Sequence, residues 1–538
     1  MTYITKIPGA EVDAIVVGAG FGGLYQVKKL RDDLNLNVQA YDNASDVGGT
    51  WYWNRYPGCR CDVESLEYSY SFDDSLQQSW KWSERYASQP EILSYARHVA
   101  ERFDLRPDID FDTRVTSAHY DESHDKWDVT TTTGRVVSAR FCIMATGSLS
   151  AGRVPEIPGL DQFEGEVHHT STWPQHGVEF AGKRVAVMGV GSSGVQAIPL
   201  IAQQAKQLHV LLRTPNYVVP ARNGALDQTE ASRIIKNYAA LREAALRCRG
   251  GVLLRVRDDS GLAVDEAERQ YEFEKRWQMG GAFNFVSAFN DLQTNAEVNG
   301  MASDFLRGKI AQIVQNPIWS RWLQPEHLLG ARRLCVGTDY YETYNRDNVS
   351  LENLRLEPLV RFTPRGVQIG EREIALDTMV FATGFDALTG ALSSMDIKGR
   401  AGLRLSDHWQ AGPRTMLGLM TSGFPNLFLL TGPGSPSVLT NVLMSIEQHV
   451  NWVAGCLSDL AGAGLRTIEP SSNAEAEWSE HVQSVGAKTL FAGGDSWYVG
   501  ANVPGKPRVV LPYAGGLPAY TQHCARIAAE NYPGFVRS

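Results

Sequence analysis

The chain has 538 residues, 43% apolar and 21% charged, with a formal net charge of −9. That length calls for two or three packed domains, and the composition excludes wholesale disorder and fibrous repeats. No run of Lys and Arg suits a phosphate backbone, the first residues lack a basic n-region before an apolar stretch, and no segment reaches about 18 consecutive apolar residues, so nucleic acid, a secretory leader and a membrane span are all unexpected and the reading is a cytoplasmic protein.

Seven cysteines, at 59, 61, 142, 248, 335, 456 and 524, form an odd and scattered set that reads as reduced thiols. Cys59-Arg60-Cys61 lacks CxxC spacing and would close a strained ring, so it reads as structural. No metal site is expected.

In chain order, a β-branched strand at 13–17 leads into GAGFGG at 18–23, a helix through residue 30, and a strand at 37–41 closing on Asp42. An apolar strand stopping at a Gly turn follows at 141–148 (FCIMATGS). The opening grammar then repeats, with a strand at 184–187, GVGSSG at 189–194, a helix through about residue 204, and a strand at 208–212 closing on Arg213. Residues 215–331 carry helix-period apolar spacing (Ile234, Tyr238, Leu241, Ala245), start signals at Asp227-x-x-Glu230 and Asn316-Pro317, and a stop at Gly280-Gly281, the pattern of a mostly helical insertion. A second strand-and-turn return is TMVFATGF at 378–385, and the apolar stretch at 416–430, broken by Gly418, Gly423 and Pro425, reads as a buried strand with loops.

Each glycine fingerprint follows a strand and opens a helix, the context in which the motif binds a dinucleotide. Gly18 and Gly189 allow the tight turn, Gly20 and Gly191 let backbone approach a pyrophosphate at the helix N-terminus beside Ser192, and Gly23 and Gly194 permit close helix–strand packing. Asp42 and Arg213 occupy equivalent positions, 24 residues beyond Gly18 and Gly189. A carboxylate there accepts from ribose hydroxyls and repels a 2′-phosphate, which suits FAD or NAD; a guanidinium binds that phosphate, which suits NADP; the contrast favours FAD in the first site and NADPH in the second. The expected fold is α/β, with two Rossmann-like dinucleotide-binding domains: an FAD domain in two parts (1–148 and 385–538) and an NADP domain in two parts (149–214 and 332–384) carrying the helical insertion (215–331).

Between the fingerprints stands Phe163-x-Gly165-x-x-x-His169-x-x-x-Trp173-Pro174. A second pattern runs Gly48-Gly49-Thr50-Trp51, Tyr56-Pro57-Gly58 and Asp62, and similar blocks continue at 331–349, 382–392, 432–443 and 496–506. In these features the chain resembles the type I Baeyer–Villiger monooxygenases over nearly its whole length. Blocks 55–65, 213–223 and 411–419 resemble the phenylacetone and steroid monooxygenase subgroup most.

The resemblance implies that NADPH reduces non-covalently bound FAD, O2 adds at flavin C4a, and the peroxide anion attacks an aryl, cyclic or steroid-like ketone, whose tetrahedral adduct rearranges to an ester or lactone. It makes Arg333 the catalytic arginine and Asp62 the carboxylate that orients it. Gly49, Thr50 and Trp51 fall on the flavin side. Arg332, where the family commonly has lysine, joins Arg213 and Thr214 at the 2′-phosphate, and Gln196 is expected to face NADP. Phe163, Gly165, His169 and Trp173 form a linker coupling NADP binding to closure. Trp497 and Lys506 sit on a mobile loop near 490–506, and Ser437, Leu439 and Val442 wall the ketone pocket. The expected partners are a small ketone and O2, with the protein a monomer or weak homo-oligomer. Two other readings use the same folds: a flavin-containing N- or S-monooxygenase, whose motif ends in Tyr where this chain has Trp173-Pro174, and an FAD/NADPH-dependent reductase, which needs a redox dithiol beside the flavin.

Overall fold

A computed structural model describes residues 11–254 and 256–538. The expectation about a leader at residues 1–10 lies outside the described residues. The fold is α/β as expected, and it is organised by two largely parallel sheets.

In the first sheet, the strand Glu11–Val17 lies between Val38–Tyr41 and Val136–Met144, parallel to both. Covered on both faces, it is apolar and buried from Ala14 onward instead of alternating. The long strand Val136–Met144 has a divided outer edge. Its first half pairs antiparallel with Lys126–Thr131, and its last three residues pair parallel with Leu427–Leu429. The late apolar stretch is thereby built into the first sheet, with Trp127 Nε1 donating to Pro425 O at 2.7 Å to seal the junction. The first fingerprint helix is Phe21–Lys28, continued by a π turn over Lys29–Asp33. The helix Val442–Gly462 lies against it, where Tyr25 Oη donates to Asn451 Oδ1 at 2.8 Å.

The second sheet is wholly parallel, in the order Val349–Asn353, Gln207–Leu212, Arg184–Met188, Thr378–Phe381, Glu166–His169. The two segments joining the sheets pair with each other: Gly152 bridges Phe385, Arg153 N donates to Gly384 O at 3.0 Å, and Asp386 N donates to Ala151 O at 2.9 Å.

Between the strands Gln207–Leu212 and Val349–Asn353 the chain is mostly helical. Asp227 and Asn316 cap the helices Gln228–Ile235 and Pro317–Trp322 through their side chains, and Gly280, at φ +72°, ends Glu266–Met279. One detail differs from the sequence reading. Ile234, Tyr238, Leu241 and Ala245 do not share one helix: the chain breaks at Asn237, and the inward stripe is Ala231, Ile235, Tyr238, Arg242 and Ala245. Tyr238 and Ala245 face inward as expected, while Ile235 and Arg242 take the inward places expected of Ile234 and Leu241, Arg242 donating to Leu66 O, Glu67 O and Ser69 Oγ.

Both fingerprint helices start hard against their strands. A Cβ on Gly194 would stand 2.0 Å from Gly189 O, and one on Gly23 would stand 1.8 Å from Gly18 O. We therefore predict that Gly194→Ala costs about 1–3 kcal/mol through overpacking, read as a lower urea midpoint; an unchanged midpoint would mean that helix and strand separate freely.

Candidate active site

The two glycine turns differ in what surrounds them. Gly20 packs against the backbone of Gly49, a Cβ there falling 3.3 Å from Gly49 Cα, so the first turn and the Gly48-Gly49 turn lie in close contact. Thr50, next in the chain, is exposed, while Trp51 is buried and donates from Nε1 to Tyr68 Oη at 3.1 Å. At Gly191 a Cβ would meet nothing within 4 Å, which leaves open backbone beside the N-terminus of the helix Ser192–Gln204. Both arrangements fit a pyrophosphate laid along backbone N–H groups.

Asp42, at the end of its strand, accepts from Ala19 N at 2.6 Å and Ala44 N at 2.8 Å, so the carboxylate is fixed beside the first turn. Burial raises its pKa against these two donors. Arg213, its counterpart on the second sheet, is exposed. Gln196 is turned toward the first unit: its Oε1 accepts from Tyr56 Oη at 3.0 Å and Arg60 N at 3.4 Å, and its Nε2 donates to Arg60 O at 3.1 Å. Its amide fastens the segment that leads into Asp62.

Asp62 and Arg333 meet as a bidentate pair although 271 residues separate them. Nε donates to Oδ2 at 2.8 Å and Nη2 to Oδ1 at 2.9 Å, while Nη1 donates to Val438 O at 2.9 Å. Burial acts against the charged guanidinium, and Asp62, with the buried Tyr498 hydroxyl, more than offsets it, so the pKa is raised and the cation is permanent. A fixed cation held by a carboxylate is suited to stabilising developing negative charge.

The motif 163–173 forms the edge strand Glu166–His169, with His169 level with Phe381. Gly165 admits no side chain, because a Cβ would lie 2.4 Å from the Phe163 ring and 2.6 Å from Asp377 O. Phe163 packs on Phe362, and Trp173 lies between His168 and Phe180. His169 is buried: Nδ1 accepts from Ser171 N at 3.1 Å, which assigns the other proton to Nε2, 3.3 Å from Thr383 Oγ1. Burial lowers its pKa, so it is a neutral tie between the edge strand and the crossing segment. The loop near 490–506 is fastened to the same crossing. Lys506 Nζ donates to Asp386 Oδ1 at 2.5 Å, Asn502 Nδ2 donates to Phe385 O at 2.7 Å, and Arg153 donates to Asn502 O. Trp497 packs against Tyr498, ring centroids 4.3 Å apart and planes tilted by 49°.

Residues 12–225 match a family model described as flavin-binding monooxygenase-like. A Baeyer–Villiger monooxygenase of Pseudooceanicola batsensis is 42% identical over 100% of this chain and 98% of its own. The chain belongs to the Baeyer–Villiger monooxygenase family. A phenazine N-monooxygenase of Lysobacter antibioticus is 40% identical over 97% of this chain and 96% of its own. The solved structure of an oxidized steroid monooxygenase bound to NADP is 47% identical, covers 98% of this chain and 99% of its own, and superposes with a TM-score of 0.94. This agrees with the subgroup expected from the sequence blocks.

In this Baeyer–Villiger monooxygenase the expected pocket residues surround the peptide that supports Arg333. Ser437 is buried with its Oγ unpaired, at φ +33°, while Leu439 and Val442 are half-buried on either side of Thr440 and Asn441. A cavity of about 60 Å³ lies between Asp62 and the helical insertion, reaching Glu67, Leu253 and Phe283. Tyr498, Val438 and Asp386, the partner of Lys506, carry no motif of their own in the sequence; Tyr498 directly follows Trp497, and that neighbour is its sole signal.

His449, buried on the helix behind this peptide, accepts from Thr431 N at 3.0 Å through Nδ1 and leaves Nε2 without a partner. Burial lowers its pKa to about 3. Above pH 6.5 it is neutral in both folded and unfolded chains; below that the unfolded chain binds a proton that the folded one refuses. Its stabilisation is therefore full above pH 6.5 and declines toward pH 3, by up to about 1.4 kcal/mol per pH unit. His449→Asn, which keeps an acceptor for Thr431 N, is predicted to flatten the fall in stability between pH 6.5 and 5 by one proton's worth. An identical slope in the variant would show that His449 is not the group refusing the proton.

Proposed function

We propose that this chain inserts one atom of O2 beside the carbonyl of a small ketone, giving an ester or lactone, with FAD and NADPH as its cofactors. The single observation that carries the proposal is the half-buried, bidentate Arg333–Asp62 pair, with Arg333 also held by the Val438 carbonyl. When bound, FAD supplies oxygen activation and NADPH the reducing equivalents. The chain's own groups then divide the remaining work. Arg333 sets a positive charge where the ketone oxygen gains negative charge, and Asp62 keeps the guanidinium from turning away. Asp42 holds the FAD ribose, and Gly18, Gly20 and Gly23 with Gly49, Thr50 and Trp51 receive the rest of FAD. Ser192 and the turn Gly189, Gly191 and Gly194 take the NADPH pyrophosphate, while Arg213, Thr214 and Arg332 take the 2′-phosphate. Ser437, Leu439 and Val442 shape the ketone site, and Trp497 with its loop excludes water. The motif residues Phe163, Gly165, His169 and Trp173 transmit the position of the second sheet to the crossing segments.

The same reading carries the domain division given above, and places the enzyme in the cytoplasm as a monomer or weak homo-oligomer. Support for a reducing compartment comes from the cysteines, all seven of which are free thiols. Among the described residues no helix is long and apolar enough to cross a membrane.

Arg333→Ala is expected to abolish ester formation while NADPH still bleaches the flavin under anaerobic conditions. The readout is mass spectrometry of the ketone product formed under 18O2, one labelled atom per ester. Retained oxygenation in Arg333→Ala would remove Arg333 from the reaction, and labelled N-oxide or sulfoxide without ester would place the chain with the heteroatom oxygenases. Arg213→Ala is expected to lower the preference for NADPH over NADH at least tenfold, measured as the ratio of their KM values; an unchanged ratio would move the 2′-phosphate elsewhere.

A further inference from the structure

The strand Val349–Asn353 runs parallel to Gln207–Leu212 with Asn353 level with Leu212, so both strands end at the same edge of the second sheet. The residues that follow them, Arg213 and Thr214 on one side and Leu354 and Arg355 on the other, leave side by side. Leu354 N donates to Leu212 O at 2.8 Å, and Arg355 N donates to Asn353 Oδ1 at 3.0 Å, which fixes the direction of the turn. The Arg355 guanidinium then reaches back across the gap, Nη2 donating to Thr214 Oγ1 at 3.2 Å.

Arg332 completes a cluster of like charges. Burial, Arg213 and Arg355 all lower its pKa, with Asp495 opposing them. His327, held to a pKa of about 4 by burial and by Arg332 and Arg355, stays neutral and adds no charge of its own. The carboxylates at the rim do little to neutralise the cluster. Glu326, 92% exposed, lies 4.0 Å from Arg355, and Asp495 is paired with Arg508. Three guanidiniums that repel one another and lack a buried acid form a receptor for a compact dianion, and a phosphate monoester carries about −1.5 to −2 charges near neutrality.

We infer that Arg355 is a third arginine of the 2′-phosphate subsite and a determinant of the preference for NADPH over NADH. It acts twice. Its charge meets the phosphate, and its hydrogen bond occupies a lone pair of Thr214 Oγ1, leaving the hydroxyl proton to be donated to a phosphate oxygen. Arg355 lies 142 residues beyond Arg213, outside both the glycine fingerprint and the Arg332-Arg333 motif. The inference rests on the reading that Arg213, Thr214 and Arg332 receive this phosphate, and the test separates the two.

The probes are 2′,5′-ADP, which carries the phosphate, and 5′-AMP, which lacks it, titrated calorimetrically into the FAD-loaded protein. Arg355→Ala is expected to weaken 2′,5′-ADP about tenfold, equivalent to about 1.4 kcal/mol, with no change for 5′-AMP. Arg355→Lys is expected to recover part of the loss. Anaerobic flavin bleaching by NADPH and NADH should show the preference falling by the same factor. Equal weakening of both nucleotides in Arg355→Ala would mean that Arg355 merely shapes the turn, and would overturn the inference. Unaltered 2′,5′-ADP affinity in Arg355→Ala alongside a loss in Arg213→Ala would overturn it and leave the subsite reading standing; unaltered affinity in both variants would remove the subsite and the inference together.

Discussion

Between Asp62 and Arg333, two charge-assisted hydrogen bonds tie the loop that follows the first fingerprint to the segment that follows the helical insertion. Each ion secures the other's position as well as its charge. The surrounding contacts serve this pair. Gln196, one turn into the second fingerprint helix, staples Tyr56 and Arg60 just before Asp62. Cys335, two residues beyond Arg333, lies in a short strand paired with Val218–Pro220. The second fingerprint helix is thereby tied directly to the segment leading into Asp62.

The linker motif acquires a physical meaning from its packing. Its spacing is that of an edge strand followed by a turn: Phe163 folds back over Gly165, His169 ends the strand against Thr383, and Trp173 closes the turn between His168 and Phe180. A neutral histidine at that point links the second sheet to the crossing segment without introducing a charge that would need a counter-ion.

What the sequence made legible was local or repeated. The fingerprints could be read because helix–strand contact at Gly23 and Gly194 leaves no space for a methyl group, and Asp42 and Arg213 could be compared because they stand at the same offset. Asp62 and Arg333 were reached through a family resemblance, since no spacing rule connects residues so far apart. Other parts escaped for related reasons. Asp386, the partner of Lys506, lies 120 residues from it, and Arg355 meets Thr214 across 141 residues, through strand register that composition does not reveal. In the insertion's helical stripe Tyr238 and Ala245 were legible, but Ile235 and Arg242 hold the inward places expected of Ile234 and Leu241, since Arg242, inward and spent on backbone carbonyls, is invisible to a search for apolar periodicity.

The second sheet is entered and left through residues that touch: Gly152 faces Phe385, with hydrogen bonds on either side. A polypeptide inserted at neighbouring points behaves as a cassette, because its ends already lie together and need no long tether. Exchanging everything between these two points with the matching portion of a relative would join the chains at a single small patch of backbone. The loop carrying Asn502 and Lys506 grips that same patch, so a chimera would have to keep its grip residues from the host to retain a lid in register with the transplanted half.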